Sequence, residues 1–404
     1  MGASCELREI RTEEERQMWR GSVHYAFALD QAYDEWLKQH ERSASDEMEI
    51  KWGYFSDNTL LASASHIPYQ APVRGALLPM AGVSNVGTPP EYRRQGHAED
   101  ILRSLMKVLR ERGMVLTCLW PFSRRFYRRY GWGNAAEYST YALTMPDLRQ
   151  VTRGYSGSRR FSRLSLDDVE AMAAVRRDYL ADYDLAPIRP WDWWRCRVFW
   201  DWQQWAHVYG IWDDEGVLSG YLAYVVKDHG DWQRELRVTD IAYRDLAAYR
   251  GLLSFLQTHD SQVREMKISL FASDPLFDWL SGGKIHRQAG AMIRLLDVKS
   301  ALESLAYPET IELTMNLEVL DDFVAAGGCF KLEVAEGKAR VQSTDATPEA
   351  RMPIGAFSQL LTGCRSLDAL IRTGRVDIDV SNVRILNQLR TLFPPRQVGM
   401  MDHF

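Results

Sequence analysis

One stretch of the chain, residues 82–133, constrains the fold more than any other. It reads GVSNVGTPPEYRRQGHAEDILRSLMKVLRERGMVLTCLWPFSRRFYRRYGWG. A β-like run ends at Thr88, and the two prolines that follow fix φ and remove backbone donors, which predicts a turn. Residues 93–98 then lead into a run with apolar residues at helical spacing, which Gly113 ends as a C′ residue. The stretch therefore predicts a strand, a glycine-containing turn and a helix in direct succession.

This succession predicts an anion site at the start of the helix. The first N–H groups of a helix have no partner within it, and they lie at the positive end of its dipole. Gly96 and Ala98 are small enough for a phosphate to approach the main chain, while Arg93 and Arg94 can add charge-assisted hydrogen bonds. The expected ligand is a pyrophosphate, and a surface helix with an arginine-rich start is the alternative.

Two other phosphate motifs do not match. A P-loop needs Gly-x-x-x-x-Gly-Lys-Ser/Thr, and a Rossmann fingerprint needs three glycines and a later acidic residue. The second half of the stretch is more informative. A predicted buried strand, Val115–Trp120, precedes a short segment that carries Tyr127 and ends at Gly131 before an aromatic residue. The order Arg-x-x-Gly-x-Ala resembles the acyl-CoA motif of the GNAT acetyltransferases, and both halves together resemble the Eis (enhanced intracellular survival) branch of that superfamily.

The resemblance implies a role for each matching residue. Acetyl-CoA would be the co-substrate, with its thioester and pantetheine arm meeting Asn85, Val86 and Thr88, and its pyrophosphate held by Arg93, Arg94, Gly96, His97 and Ala98. Tyr127 would protonate the leaving sulfur, and the α-carboxylate of Phe404 would act as general base. The acceptor amine would contact Asp30, Trp36 and Asp402. On residue type alone, His24, Glu35 and Asp402 are further candidate bases. His97 and Phe122 depart from the residues that are common in the family.

Composition excludes several classes of protein. A chain of 404 residues predicts two or three domains, and 46% hydrophobic with 25% charged residues is typical of a soluble globular protein. The net charge of −5 argues against a general nucleic-acid binder. The five scattered cysteines form no Cys-x-x-Cys pair, so we expect reduced thiols and no metal site. Without a signal segment or a long apolar run, we expect a cytoplasmic protein with no membrane partner.

The order of predicted elements divides the chain into three domains. Residues 1–150 would form an N-terminal GNAT domain that binds acetyl-CoA. Residues 151–295 repeat its order of strands and helices, but residues 243–248 (YRDLAA) stand in place of the phosphate loop, which predicts a degenerate second copy. Residues 296–404 resemble a sterol-carrier-like domain, with an antiparallel sheet and helices on one side. The predicted fold class is therefore α+β, with tandem mixed-sheet α/β domains before this last domain.

The acceptor is predicted less sharply than the cofactor. Asp30, Asp34 and Glu35 stand among aromatic residues, which suits a multiply charged amine. A solvated helix face is the alternative. The resemblance implies an aminoglycoside-, polyamine- or lysine-like acceptor, a small molecule or peptide, and a homo-oligomer (a hexamer). A non-catalytic sensor or scaffold that binds acyl-CoA or lipid through the last domain is the competing hypothesis for the whole chain.

Overall fold

The computed structural model describes residues 5–28, 30–43, 48–155, 157, 159–201, 204–230 and 234–404. They form two seven-stranded sheets, one five-stranded sheet and two pairs of short strands. This is the predicted α+β architecture. Within these residues, no helix combines the length and the apolar composition needed to cross a membrane.

The N-terminal part of the chain builds most of the first sheet. Its elements are β1 (Cys5–Glu9), α1 (Glu13–Phe27), α2 (Tyr33–Ser43), β2 (Ile50–Ser56), β3 (Thr59–Val73), β4 (Ala76–Gly87), α3 (His97–Glu111), β5 (Leu116–Leu119), α4 (Arg124–Arg128), β6 (Gly133–Asn134), β7 (Glu137–Leu143) and α5 (Met145–Val151). Strands β1 to β5 lie side by side in chain order, antiparallel except for the parallel pair β4 and β5. A capping box between Thr12 and Glu15 begins α1, as the sequence predicts.

Helix α3 has the predicted face and the predicted end. Its buried residues recur at helical spacing and form the core against the sheet: Ile101, Leu102, Leu105, Met106 and Leu109. Gly113 has a φ of 80°, and the N–H groups of Gly113 and Met114 donate to the carbonyls of Arg110 and Leu109 at 2.9 and 3.0 Å. This Schellman motif satisfies the last carbonyls of the helix and turns the chain into β5.

The middle of the chain builds the second sheet. Its elements are β8 (Arg160–Arg163), α6 (Val169–Tyr179), β9 (Tyr183–Asp184), α7 (Trp191–Trp193), β10 (Trp200–Asp201), β11 (Gln204–Trp205), β12 (His207–Trp212), β13 (Leu218–Asp228), β14 (Arg234–Tyr243), α8 (Leu246–Gln257), β15 (Glu265–Phe271), α9 (Leu276–Trp279), β16 (Lys284–Ala289), β17 (Met292–Leu295) and α10 (Val298–Ser304). The parallel pair β14 and β15, joined through α8, repeats the arrangement of β4, α3 and β5.

The two large sheets exchange strands across the predicted domain boundaries. Strand β7, expected in domain 1–150, lies in the second sheet between β15 and β16. Strand β17, expected in domain 151–295, lies in the first sheet between β5 and β6. The parallel strands β5 and β15 each have an edge whose backbone groups need partners, and the exchanged strands supply them. The boundaries at 150 and 295 therefore do not separate two self-contained sheets.

The last part of the chain forms the five-stranded sheet and returns to the first two. Its elements are β18 (Leu313–Leu320), β19 (Gly328–Ala335), β20 (Lys338–Ser343), β21 (Ala350–Pro353), α11 (Ile354–Leu361), α12 (Leu367–Arg372), β22 (Asp377–Ile378), α13 (Val383–Leu392) and β23 (Gln397–Val398). One pair, β18 with β21, is parallel rather than antiparallel as expected for this domain. Strand β23 pairs with β9, which directs the final residues back toward the first sheet.

Candidate active site

The loop between β4 and α3 has the geometry expected of an anion cradle. Arg94 and Gly96 have φ values of 62° and 96°, so the loop makes two left-handed turns before the helix. No side chain caps the helix at Gly96, and within this fully described loop its first N–H groups are therefore left for a ligand. The Arg93 side chain donates to the Thr88 carbonyl at 3.1 Å, which holds it across the loop.

A groove of about 750 Å³ lies over this cradle, and we call it the α3 groove. Its lining includes seven of the eight residues predicted to bind the cofactor: Val86, Thr88, Arg93, Arg94, Gly96, His97 and Ala98. The eighth, Asn85, lies next to it in β4 and lines a neighbouring cavity instead. The His97 side chain is mostly buried, with Nδ1 3.6 Å from the Asp100 carboxylate.

Strand β4 is irregular where it meets the groove. Its pairing with β3 shifts between Ser63 and Ser65, opposite Asn85, which has a φ of 54°. Asparagine tolerates this left-handed conformation better than most residues, and a bulge of this kind leaves ladder groups unpaired. The unpaired groups lie where the parallel strands β4 and β5 diverge, because their last pair is Val83 with Leu119.

Glu49 is a functional candidate that the sequence analysis missed. Its side chain is buried, and its Oε1 accepts hydrogen bonds from Ser65, from Ser84 at 3.1 Å and from Asn85 at 2.7 Å. A buried carboxylate costs free energy unless it is satisfied, and this network supplies the donors. Nothing in the local sequence marks Glu49, because its three partners come from β3 and β4.

Tyr127 lies in the short helix α4, which follows strand β5. Ser123 caps α4 through the N–H of Phe126, and Gly131, with a φ of 90°, turns the chain after it. The Tyr127 side chain is buried, with its ring 5.5 Å from that of Phe122 and 5.9 Å from that of Trp132. Burial raises the pKa of Tyr127 above its ordinary value, so the hydroxyl keeps its proton at neutral pH.

The C-terminal tail is anchored by a buried carboxylate. Asp402 accepts hydrogen bonds from Arg176 at 3.0 Å and from Arg189 at 2.7 and 3.1 Å, and its side chain is 1% exposed. Burial by itself raises the pKa of Asp402, but the two arginines outweigh it and hold that pKa below its ordinary value. The Asp402 carboxylate therefore anchors the tail, which differs from its predicted contact with the acceptor.

The anchored tail presents Phe404 to the first sheet. Its ring lies 5.9 Å from that of Tyr69 and 6.4 Å from that of Trp193. A Cβ atom at Gly82 would come within 3.0 Å of the Phe404 ring, so only glycine leaves room for it at this point of β4. The preceding His403 stacks on Trp120 at 3.5 Å, and Trp120 donates to the Asp402 carbonyl at 2.6 Å.

Tyr127 and Phe404 line the same cavity of about 310 Å³, which we call the Phe404 cavity. Glu49, Asn85 and Trp36 also line it, and it shares Phe27, Val86 and Phe122 with the α3 groove. Asp30 is exposed and does not line the cavity, and Asp34 and Glu35 are exposed on α2. The structure thus brings together the two predicted catalytic residues and Trp36, while Asp30 lies outside.

In the part of the chain that the structure describes, no His, Cys, Asp and Glu side chains are grouped as metal ligands.

Three family models match the chain in the predicted order. An acetyltransferase (GNAT) domain matches residues 6–135, a second acetyltransferase (GNAT) domain matches residues 185–295, and a sterol carrier protein domain matches residues 298–401.

Similar proteins are named as N-acetyltransferases. An uncharacterized N-acetyltransferase of Streptomyces griseus is 25% identical over 395 residues, covering 93% of this chain and 94% of the relative. The N-acetyltransferase Eis of Mycobacterium tuberculosis is 26% identical over 322 residues, covering 74% of this chain and 75% of the relative.

Solved structures share the fold over nearly the whole chain. A probable N-acyltransferase from Enterococcus faecalis has a TM-score of 0.87 at 23% identity, covering 99% of this chain and all of that one (100%). Eis1 from Mycobacterium abscessus has a TM-score of 0.77 at 21% identity, covering 99% and 100% of the two chains.

Proposed function

We propose, from the premise that this chain belongs to the Eis family of GNAT N-acetyltransferases, that it acetylates a primary amine of a cationic acceptor in the Phe404 cavity. The chain is an acetyl-CoA-dependent acetyltransferase. The proposal concerns which acceptor it uses and which residues transfer protons. The observation that carries it is the position of Tyr127 and Phe404 on one cavity, which adjoins the α3 groove.

The α3 groove suits the nucleotide end of acetyl-CoA. In the proposal, Arg93, Arg94, Gly96, His97 and Ala98 hold the pyrophosphate, because uncapped N–H groups and arginines converge there. Val86 and Thr88 lie on the way from that cradle to the Phe404 cavity. Together with Asn85 at the bulge of β4, they would meet the pantetheine arm and the thioester.

Two residues that line the cavity, Tyr127 and Phe404, suit opposite proton transfers. The amine nitrogen forms a bond to the acetyl carbon as the carbon–sulfur bond breaks. The Phe404 carboxylate accepts the proton that the amine loses, and Tyr127, protonated at neutral pH, gives one to the leaving sulfur. The ionised form of the carboxyl group is the form that accepts this proton.

A cationic acceptor is favoured by the carboxylates of the cavity. Glu49 adds a buried carboxylate to this cavity, beside Phe404. Burial lowers the pKa of the neighbouring His40 to about 4, so its ring adds no positive charge at neutral pH. Trp36 supplies an aromatic wall. Asp30 contributes attraction from outside the cavity rather than a contact.

Thiol release from acetyl-CoA with a panel of amines tests the proposal. We expect release with spermine, an aminoglycoside or a lysine ester, and little with a neutral arylamine. Tyr127→Phe should lower kcat by about 10²–10⁴-fold while acetyl-CoA affinity is kept. Tyr307→Phe is the matched control, because this buried tyrosine donates to the Leu302 carbonyl at 2.8 Å and lines neither the Phe404 cavity nor the α3 groove. Acetyl-CoA binding without thiol release for any amine would favour the non-catalytic scaffold instead.

A further inference from the structure

The second sheet contains a counterpart of the Phe404 cavity. The last parallel pair before the strands diverge is Val83 with Leu119 in the first sheet and Val238 with Ile268 in the second. Counting onward from these pairs, residues 84–86 correspond to residues 239–241, and residues 120–122 correspond to residues 269–271.

Both sets of residues line a cavity at the point of divergence. The first set borders the Phe404 cavity, and the second borders a cavity of about 390 Å³ that we call the Asp402 cavity. The C-terminal tail lies between the two, because Phe404 lines the first and residues 401–403 line the second. The duplication has therefore preserved a cavity, and not only a sheet.

The second cavity has no companion groove for a nucleotide. The loop of residues 88–96 is replaced by Arg244 and Asp245 alone, between β14 and α8. The Asp245 carboxylate accepts from the Ala248 N–H at 2.7 Å and pairs with Arg159 at 3.1 Å. A carboxylate at the start of α8 occupies the place that a phosphate needs and repels it. The Asp402 cavity is thus not a second acetyl-CoA site.

The Asp402 cavity is more positive than its counterpart. One pair before the strands diverge, the first sheet has Gly82 opposite Cys118. The second sheet has Arg237 opposite Lys267 at the corresponding place. The cavity lining contains five cations and two carboxylates: Arg176, Arg189, Arg197, Arg237, Lys267, Asp240 and Asp402. Arg237 and Lys267 also contact Glu235, at 3.3 and 2.5 Å, yet their side chains remain 44% and 36% exposed. Lys267 also lies 3.6 Å from the Glu265 carboxylate, so Asp240, Asp402, Glu235 and Glu265 together face the five cations, and an excess of one cation remains.

Buried polar atoms without a hydrogen-bond partner among the described residues occur in this lining. They include Nε of Arg176, in a residue only 8% exposed, and Oγ1 of Thr239. A buried donor without an acceptor costs about 1–3 kcal/mol, so such atoms are normally satisfied by a ligand or by water. The remaining wall is aromatic, with Tyr138, Tyr179 and Trp193.

From these observations we propose that the Asp402 cavity is a second binding site, for a small organic anion that carries an aromatic or apolar group. The anionic group, a carboxylate or a phosphate ester, lies among Arg176, Arg237 and Lys267, and the apolar group packs on the aromatic wall. A carboxylate and a phosphate ester can each accept two parallel hydrogen bonds from one arginine guanidinium. Cavities of this size and mixed lining are typical of small-molecule sites.

Calorimetric titration with four probes tests this site: benzoate, phenyl phosphate, benzyl alcohol and benzylamine. Saturating CoA is present throughout, so that the α3 groove cannot take up the phosphate probe. We expect at least one anion to bind at least tenfold more tightly than the neutral and cationic probes. The stronger of the two anions identifies a carboxylate or a phosphate site. Equal binding of all four probes, or none, would overturn the proposal.

The variant Arg237→Gln/Lys267→Gln should weaken binding of the anion at least tenfold. Arg264→Gln/Lys284→Gln removes the same two charge types from exposed positions near the same sheet, outside the cavity, and should leave binding unchanged. Unaltered acetyl-CoA affinity shows that each variant is folded. If the first variant does not fold, Thr239→Val removes the unpartnered hydroxyl and should also weaken the anion. Unchanged anion affinity in the folded variants would refute the site.

Discussion

Replacing Asp402 by asparagine should detach the end of the C-terminal tail and lower turnover while acetyl-CoA affinity is unchanged. The substitution keeps the size of the side chain but removes the charge that two buried arginines share. Arg176 and Arg189 have side chains only 10% and 7% exposed, so they cannot turn to water without moving other groups. The perturbation therefore falls on the anchor and not on the α3 groove.

The magnitude follows from burial. Removing one partner of a buried ion pair costs about 3–5 kcal/mol, and asparagine keeps one acceptor oxygen, so we take about 3 kcal/mol. That value shifts the docked-to-undocked ratio of the tail end about 100-fold. The part of the tail before it stays in place, because Met400 is fully buried and β23 remains paired with β9. The effect is thus limited to the last residues, including Phe404.

Two assays measure this shift. Carboxypeptidase should release Phe404 up to about 100-fold faster from Asp402→Asn, because cleavage follows the undocked population. The kcat for amine acetylation should fall toward that of a chain without Phe404. Asp368→Asn is the control, since the Asp368–Arg390 pair at 2.6 Å has side chains 44% and 43% exposed, and water screens its attraction. If the two variants behave alike in both assays, the tail does not depend on this anchor.

Three further predictions concern Gly96 in the cofactor loop, the buried carboxylate of Glu49, and His66, a buried histidine outside the cavities that accepts a hydrogen bond from Trp52 at 2.9 Å. Gly96→Val should weaken acetyl-CoA binding by about 1–3 kcal/mol in calorimetry, because a φ of 96° is strained for valine, and unchanged affinity would remove this loop from the cofactor site. Glu49→Gln should raise KM for polycationic amines about tenfold and leave kcat nearly unchanged, whereas an equal effect on neutral amines would contradict ammonium binding. Burial lowers the pKa of His66 to about 4, so the unfolded chain binds more protons between pH 4 and the ordinary value near 6.5. The free energy of unfolding should therefore fall by at most about 3 kcal/mol over that range as pH falls. Denaturant titrations at several pH values should show that this free energy changes less with pH in His66→Gln than in the native protein. If the unfolding free energies of the variant and the native protein depend equally on pH, His66 is not the cause of this dependence.

Several predictions from the resemblance stay predictions. The hexameric state and the cytoplasmic location depend on surfaces and on cellular context that one chain does not contain. The acceptor also stays a proposal, because Asp30 lies outside the Phe404 cavity and Glu49 inside it. The amine panel distinguishes a cavity that selects cations from a surface that only attracts them.

Residues close together in the sequence determine the helices and turns of the site. The helical spacing from Ile101 to Leu109, the left-handed turns at Gly96 and Gly113, and the capping box of α1 depend on residues a few positions apart. Periodicity and turn chemistry therefore predicted the loop and its helix, while the role of Tyr127 came from the resemblance to the GNAT acetyltransferases. The order of the three domains followed from the same patterns, read over a longer range.

Only the tertiary structure decided which distant residues share a cavity. Strands β7 and β17 cross between sheets because the edges of β15 and β5 need partners, and no local pattern marks an exchange between strands so far apart. Glu49 is satisfied by side chains from two other strands, and Asp402 by arginines from residues 176 and 189. Buried charges are stable only where the whole fold brings their partners. The charge balance of the Phe404 and Asp402 cavities is therefore a property of the assembled chain.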